Sequence, residues 1–218
     1  MSAVPRDKAQ FRVAALGALA AFLFIALFRL QRLGPLDFWA WLTANVVLLT
    51  ALAFLADKTY LARLRQDARS GLARKLAVGI GSAAILYAVF AVGHVLSAHV
   101  LTFAEAGVAR VYALRAGAPG WRIALLIGLV IGPGEELFWR GFFQDRAAAT
   151  TCPSYGLALS ATLYTAVHLA SGNLMLVIAA AVCGVFWGWL YMRFRSPLVN
   201  IVSHVVWDLA VFLFLPFL

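Results

Sequence analysis

Charge is scarce in this chain. Only 12% of its 218 residues are Asp, Glu, Lys or Arg, against about 25% in a soluble domain. That scarcity excludes an ordinary soluble fold, since 64% of the residues are hydrophobic and they gather in blocks of bilayer length. Cysteine is nearly absent: Cys152 and Cys183 cannot build a disulfide framework, and a reduced pair is expected. A leader peptide is not indicated, because the apolar run after Arg6, Lys8 and Arg12 leads to Arg29 rather than to a small-residue cleavage site. Even turn spacing and alternation are missing, which excludes a β-barrel. The net charge of +9 does not indicate nucleic acid, because the basic residues sit at the ends of the apolar blocks. Two hydrolase motifs are also lacking, His-Glu-x-x-His and Gly-x-Ser-x-Gly.

What is present reads as an all-α, polytopic transmembrane bundle of about seven spans, near 11–30, 38–56, 76–101, 121–143, 155–170, 174–192 and 197–217. Twelve Lys and Arg fall on one side of this arrangement and five on the other, which puts the N-terminus in the cytoplasm and the C-terminus outside. The basic segment from Asp57 to Lys75 reads either as a helix on an anionic leaflet or as a solvated loop. Trp39, Trp41 and Trp121 suit an interfacial belt, and His94 and His99 are read as interfacial. Gly128-x-x-x-Gly132 and Gly184-x-x-x-Gly188 allow close helix contact but are weak evidence for dimerisation, and the oligomeric state stays open.

The informative residues are polar ones inside these spans. Glu135, Glu136 and Arg140 lie within six residues, and each ionisable group at mid-bilayer costs at least ~2.5–3.5 kcal/mol. Glu136 and Arg140 share a helix face, whereas Glu135 is turned by about 100°. Pro133, between two glycines, should loosen the helix just ahead of the pair. Tyr164-x-x-x-His168 and His204-x-x-x-Asp208 follow on later spans. Each group has a plain structural explanation: an ion pair for Glu136 and Arg140, snorkelling for Glu135, packing for His168, a hydrogen bond for His204 and Asp208. Taken together, Glu135, His168, His204 and Asp208 suit two chemistries. One is water activation with oxyanion stabilisation. The other is a divalent metal site such as zinc on those four residues.

The ordered set Glu135-Glu136-x-x-x-Arg140, Tyr164-x-x-x-His168 and His204-x-x-x-Asp208 resembles the CPBP intramembrane proteases, also called the ABI or CAAX-protease family. The resemblance covers about 121–211, so 121–218 is expected to be the catalytic helical core and 1–120 the N-terminal helices with the basic loop, all within one membrane domain. It implies an endopeptidase acting on a membrane-associated protein or peptide, with no cofactor. Glu135 and His168 would activate water, while His204 and Asp208 would hold the oxyanion. Glu136, Arg140 and Tyr164 would support them. Tyr164 and Asp208 depart from the commoner phenylalanine and asparagine. An ionised Asp208 cannot donate, so it is expected to orient His204. A multi-pass protein of a bacterial plasma membrane is expected, with the site opening toward the cytoplasmic half. The readings left beside this one are the metal-dependent protease and a non-catalytic scaffold. One mismatch stands out: at 1.5 Å per residue, His168 lies too near the outer end of its span to meet Glu135.

Overall fold

The computed structural model describes residues 6–217, with side chains from Gln10 onward; Arg6 and Lys8 of the charge count lie outside the described side chains. Among the described residues the chain is helical, apart from one bridge between Leu33 and Leu36 in the turn after the first helix. The helices are α1 (Arg6–Leu30), α2 (Phe38–Ala56), α3 (Tyr60–Arg69), α4 (Leu72–Val100) and α5 (Ala104–Ala113). A continuous run over 120–150, α6, alternates between α and π geometry. It is followed by α7 (Pro153–His168), α8 (Leu174–Phe194) and α9 (Pro197–Leu209), which a π turn, Ala210–Phe214, extends.

Five of these are long and apolar enough to cross a membrane: Gln10–Leu30, Phe38–Ala56, Leu72–Val100, Leu174–Phe194 and Pro197–Phe214. The chain is a polytopic helical membrane protein. The count of seven is not reached by that measure, because α6 is interrupted by π turns and α7 has 16 residues. Yet α6 runs the full height of the bundle: Arg122 at its start pairs with Asp37 at the head of α2, and Asp145 near its end pairs with Arg63 of α3 at 2.7 Å.

Local sequence explains where the helices begin. Asp37 accepts from the Ala40 amide, Asn173 from Met175 and Ser196 from Val199, each supplying a partner to an orphan first-turn N–H. Pro153 and Pro197 occupy first turns, where a missing N–H costs nothing. Small residues then let helices approach, as packing in lipid requires. A side-chain carbon at Gly79 would come within 2.6 Å of Val202, and one at Gly132 within 2.8 Å of Val205. Gly184 faces Ala161 and Tyr164. Gly132, Gly184 and Gly188 thus serve contacts within the chain, and no dimer is needed to explain them.

Several expectations change. Asp57 to Lys75 contains a short helix rather than a plain loop: α3 buries Tyr60, leaves its other residues exposed or half-buried, and the chain then turns at Gly71 into α4. Trp39 and Trp41 are core residues at 4% and 6% exposure, while Trp121 at 68% stays on the surface. α5 was not expected at all. As expected, Cys152 is exposed, Cys183 is buried, and both are free thiols.

Candidate active site

The centre of α6 is where backbone chemistry and side-chain chemistry meet. Pro133 carries no amide hydrogen, and just before it the helix widens into a π turn in which the Gly132 N–H reaches back to the Ile127 carbonyl. A second π segment, Leu137–Gln144, follows the two glutamates. Neighbouring helices bond the backbone here. Thr50 Oγ1 donates to the Gly134 carbonyl at 3.2 Å, and the Tyr60 hydroxyl donates to the Leu137 carbonyl at 2.7 Å. Both contacts need glycine opposite them. A Cβ at Gly134 would lie 2.2 Å from Val46 Cγ1, and one at Gly141 would lie 1.9 Å from the Tyr60 hydroxyl. α2 and α3 therefore grip α6 on either side of the acid pair.

Glu136 is fully buried and satisfied by three donors. Its Oε1 accepts from Arg140 Nη1 at 2.7 Å and from His204 Nδ1 at 2.7 Å, and its Oε2 accepts from Asn200 Nδ2 at 3.0 Å. Arg140 lies over the rings of Tyr164 and Trp187, at 4.8 Å and 5.5 Å. A buried ion pair needs such extra partners to offset its desolvation. His204 stacks on Trp187 with ring centroids 3.8 Å apart, and its Nε2 lies 3.3 Å from Asp208 Oδ2. His204 thus has two carboxylate neighbours: Glu136 at Nδ1, which was not expected, and Asp208, the acceptor expected from the sequence, at Nε2.

Glu135 points elsewhere, as the rotation between neighbouring helical residues requires. Its Oε2 accepts from the Tyr164 hydroxyl at 3.1 Å. Tyr164 is also tied to His168, whose Nδ1 donates to the Tyr164 carbonyl at 2.7 Å. That bond fixes the imidazole and leaves Nε2 free to accept. Tyr164 therefore links Glu135 and His168, more than a mild departure from phenylalanine would suggest.

All four expected site residues, Glu135, His168, His204 and Asp208, line one cavity of about 330 Å³. His168 closes α7 one turn after Tyr164, whose hydroxyl bonds Glu135, and so reaches the same cavity as that glutamate despite the depth expected from its span. The turn from α7 into α8 is covered by α5, through an Asn173 Nδ2 bond to the Gly107 carbonyl at 2.8 Å. The rest of the cavity wall comes from the Phe24–Phe28 end of α1, the start of α2, the end of α4 and α5. That is the end opposite to Asp145 and the basic segment. His94 belongs to this wall and stacks on Phe217 at 5.7 Å; it is more than an interfacial residue. His99 is exposed.

Two contributors were missed. Asn200 lies four residues before His204 and so extends the same helical stripe; its amide donates to Glu136 and also to the Trp187 carbonyl at 2.8 Å. Its spacing was visible, but asparagine alone does not announce a role. Trp187, the platform under His204, carries no sequence signal. For the metal alternative, no group of three His, Cys, Asp or Glu that could hold an ion forms among the described residues.

Residues 116–210 match the family described as type II CAAX prenyl endopeptidase Rce1-like. Over that stretch the chain is similar to the CAAX proteases, and the match supports assignment to that family. The match runs from just before α6 to the end of α9, so it takes in every helix that carries the seven residues named above. CAAX proteases are peptide hydrolases, and the match supports that reaction class for this polytopic helical chain. No curated protein and no solved structure matches the chain.

Proposed function

We propose that this chain hydrolyses a peptide bond of a membrane-associated protein or peptide with water activated by Glu135 and His168. The observation that carries the reading is the split between two adjacent glutamates. Glu136 spends both oxygens on Arg140, His204 and Asn200, whereas Glu135 meets only the Tyr164 hydroxyl and faces the cavity. Glu136 is a structural anion; Glu135 is free to take a proton.

In the proposed reaction, Glu135 accepts a proton from water while its oxygen attacks the scissile carbonyl carbon, and the carbonyl electrons move to oxygen. His168, through Nε2, orients that water. His204 stands across the cavity with a carboxylate facing each nitrogen, and Nε2 turns to the oxyanion. When the carbonyl re-forms, the carbon–nitrogen bond breaks and the proton held by Glu135 passes to the leaving amine. No metal is required by this scheme, and both nitrogens of His204 already face carboxylates. A bacterial plasma membrane is the proposed setting.

The test compares membranes containing wild type, Glu135→Gln or His168→Ala at equal abundance. Polypeptide termini produced only by wild type are expected, and they should persist after chelation. Termini that survive Glu135→Gln remove the glutamate from the mechanism. Termini lost on chelation and restored by zinc support the metal-dependent reading. Identical termini in all three membranes, with folding intact, support the scaffold.

A further inference from the structure

Tyr87 and His94 of α4 and Tyr112 of α5 have no part in the proposed chemistry, yet all three converge on residues 215–217, which leave the helix after α9. Leu215 precedes Pro216, and a residue before proline is pushed out of helical geometry. Its φ of −137° ends the π turn there. The Leu215 N–H still reaches back to the Ala210 carbonyl at 2.7 Å, but beyond it the backbone is held by side chains of other helices. The Tyr87 hydroxyl donates to the Leu215 carbonyl at 3.0 Å, and the Phe217 N–H donates to the Tyr112 hydroxyl at 2.9 Å. That hydroxyl in turn donates to the Val211 carbonyl at 3.1 Å. The Phe217 ring stacks on Tyr87 with centroids 4.9 Å apart, and on His94 at 5.7 Å. Tyr87 and His94 lie two turns apart, so one face of α4 presents both.

Non-helical backbone in a membrane protein needs hydrogen-bond partners, and that accounts for the two hydroxyls. It does not account for their place. Phe217, His94 and Tyr112 line the same cavity as Glu135 and His168. Recognition of an extended peptide takes this form in general: bonds to the main chain give affinity, and a pocket for a side chain gives selectivity. Here a carbonyl, the amide two residues on and one aromatic ring are engaged in that way. Residues 215–217 are therefore held as a peptide would be, in the wall of the cavity that contains the free glutamate. A segment tethered this closely acts at an effective concentration on the order of millimolar and excludes a weak free peptide.

Resting on the proposed peptidase reading, we infer that Tyr87, His94 and Tyr112 form a slot for an extended peptide with an aromatic side chain, that residues 215–217 fill this slot as an intramolecular competitor, and that the substrate chain takes it when they withdraw. Phe217 is the plug. The two tyrosines are positioning residues for whichever backbone lies there, and Tyr112 stays anchored to the Val211 carbonyl when the segment leaves.

Binding is measured first, in the Glu135→Gln protein, so that the probe is not cut. The probe is the acetylated and amidated peptide Phe-Leu-Pro-Phe, which copies residues 214–217, followed by equilibrium dialysis against a detergent-only control. Adding Phe217→Ala, which vacates the slot, should tighten binding by about fivefold, the usual size of one aromatic contact. Adding Tyr87→Phe and Tyr112→Phe as well should remove the gain. Pro216→Gly, which loosens the segment and keeps the ring, is the second variant and should tighten binding too. Equal binding with and without Phe217, or no binding to any variant, overturns the inference. The second measurement follows the termini that depend on Glu135. Phe217→Ala should lower KM about fivefold with kcat unchanged, as the loss of a competitor does; a KM that stays or rises overturns the inference and leaves the Glu135 mechanism standing. Termini that form equally with Glu135→Gln strike the peptidase reading instead, and the dialysis still reports whether the slot exists.

Discussion

The two ends of this bundle handle ionisable groups in opposite ways. At the basic end, Asp145 is almost fully buried yet receives Arg63, Arg146, Arg195 and the Tyr191 hydroxyl, so its charge is neutralised and the end is closed. At the cavity end, Glu135 is as buried but has a single hydroxyl partner and an open space before it. Burial alone therefore does not identify a reactive carboxylate. What distinguishes Glu135 is that its hydrogen-bonding capacity is left unfilled next to a cavity, whereas Glu136 and Asp145 have theirs consumed.

The contrast is sharpest if one group is changed at a time. Glu135→Gln keeps shape and removes the base, so the rate should fall by about 10²–10⁴-fold, the usual share of a positioned base. Thermal unfolding of the detergent-solubilised protein should not move. Glu136→Ala should do the reverse in kind. It strands Arg140 in the core and should lower stability by about 3–5 kcal/mol, read from denaturant unfolding. Tyr164→Phe removes one hydrogen bond to Glu135; a loss of about 1 kcal/mol, near fivefold in rate, is expected from the net worth of such a bond. A rate unchanged by Tyr164→Phe would mean that the hydroxyl does not hold Glu135 in the reacting geometry.

The smallest effect on rate belongs to the basic end. Burial alone would raise the Asp145 carboxyl, but hydrogen bonds from Arg63 and Arg146 outweigh it and hold the group below its ordinary value. A carboxyl depressed on folding stabilises the protein above its unfolded value, about 3.9, and that contribution is lost as pH falls through the folded value. Unfolding followed from neutral pH into acid should thus show a loss of stability that Asp145→Asn flattens. The variant should be less stable at neutral pH, with the rate per folded molecule unchanged.

Much of the site was legible because lipid makes charge conspicuous: Glu135, Glu136, Arg140, His168, His204 and Asp208 stand out against apolar runs. Pro133 likewise foretold a loosened helix. The rest needed packing. Asn200 looks ordinary in sequence, and its role depends on Glu136 lying opposite. α5 carries Val108, Val111 and Tyr112 at helical spacing, but ten residues are too few to register beside spans of about twenty. Its placement over the α7–α8 turn is a tertiary fact. So is the end of the bundle at which the cavity lies, which is set by the residues that line it rather than by any motif.

The most direct test of the central claim is to run the reaction in heavy-oxygen water with wild type and Glu135→Gln side by side. If Glu135 activates solvent, the new carboxyl termini made by wild type will carry solvent oxygen, and none will form with Glu135→Gln. Termini that form without solvent oxygen, or that form equally in the variant, would contradict a glutamate-activated hydrolysis.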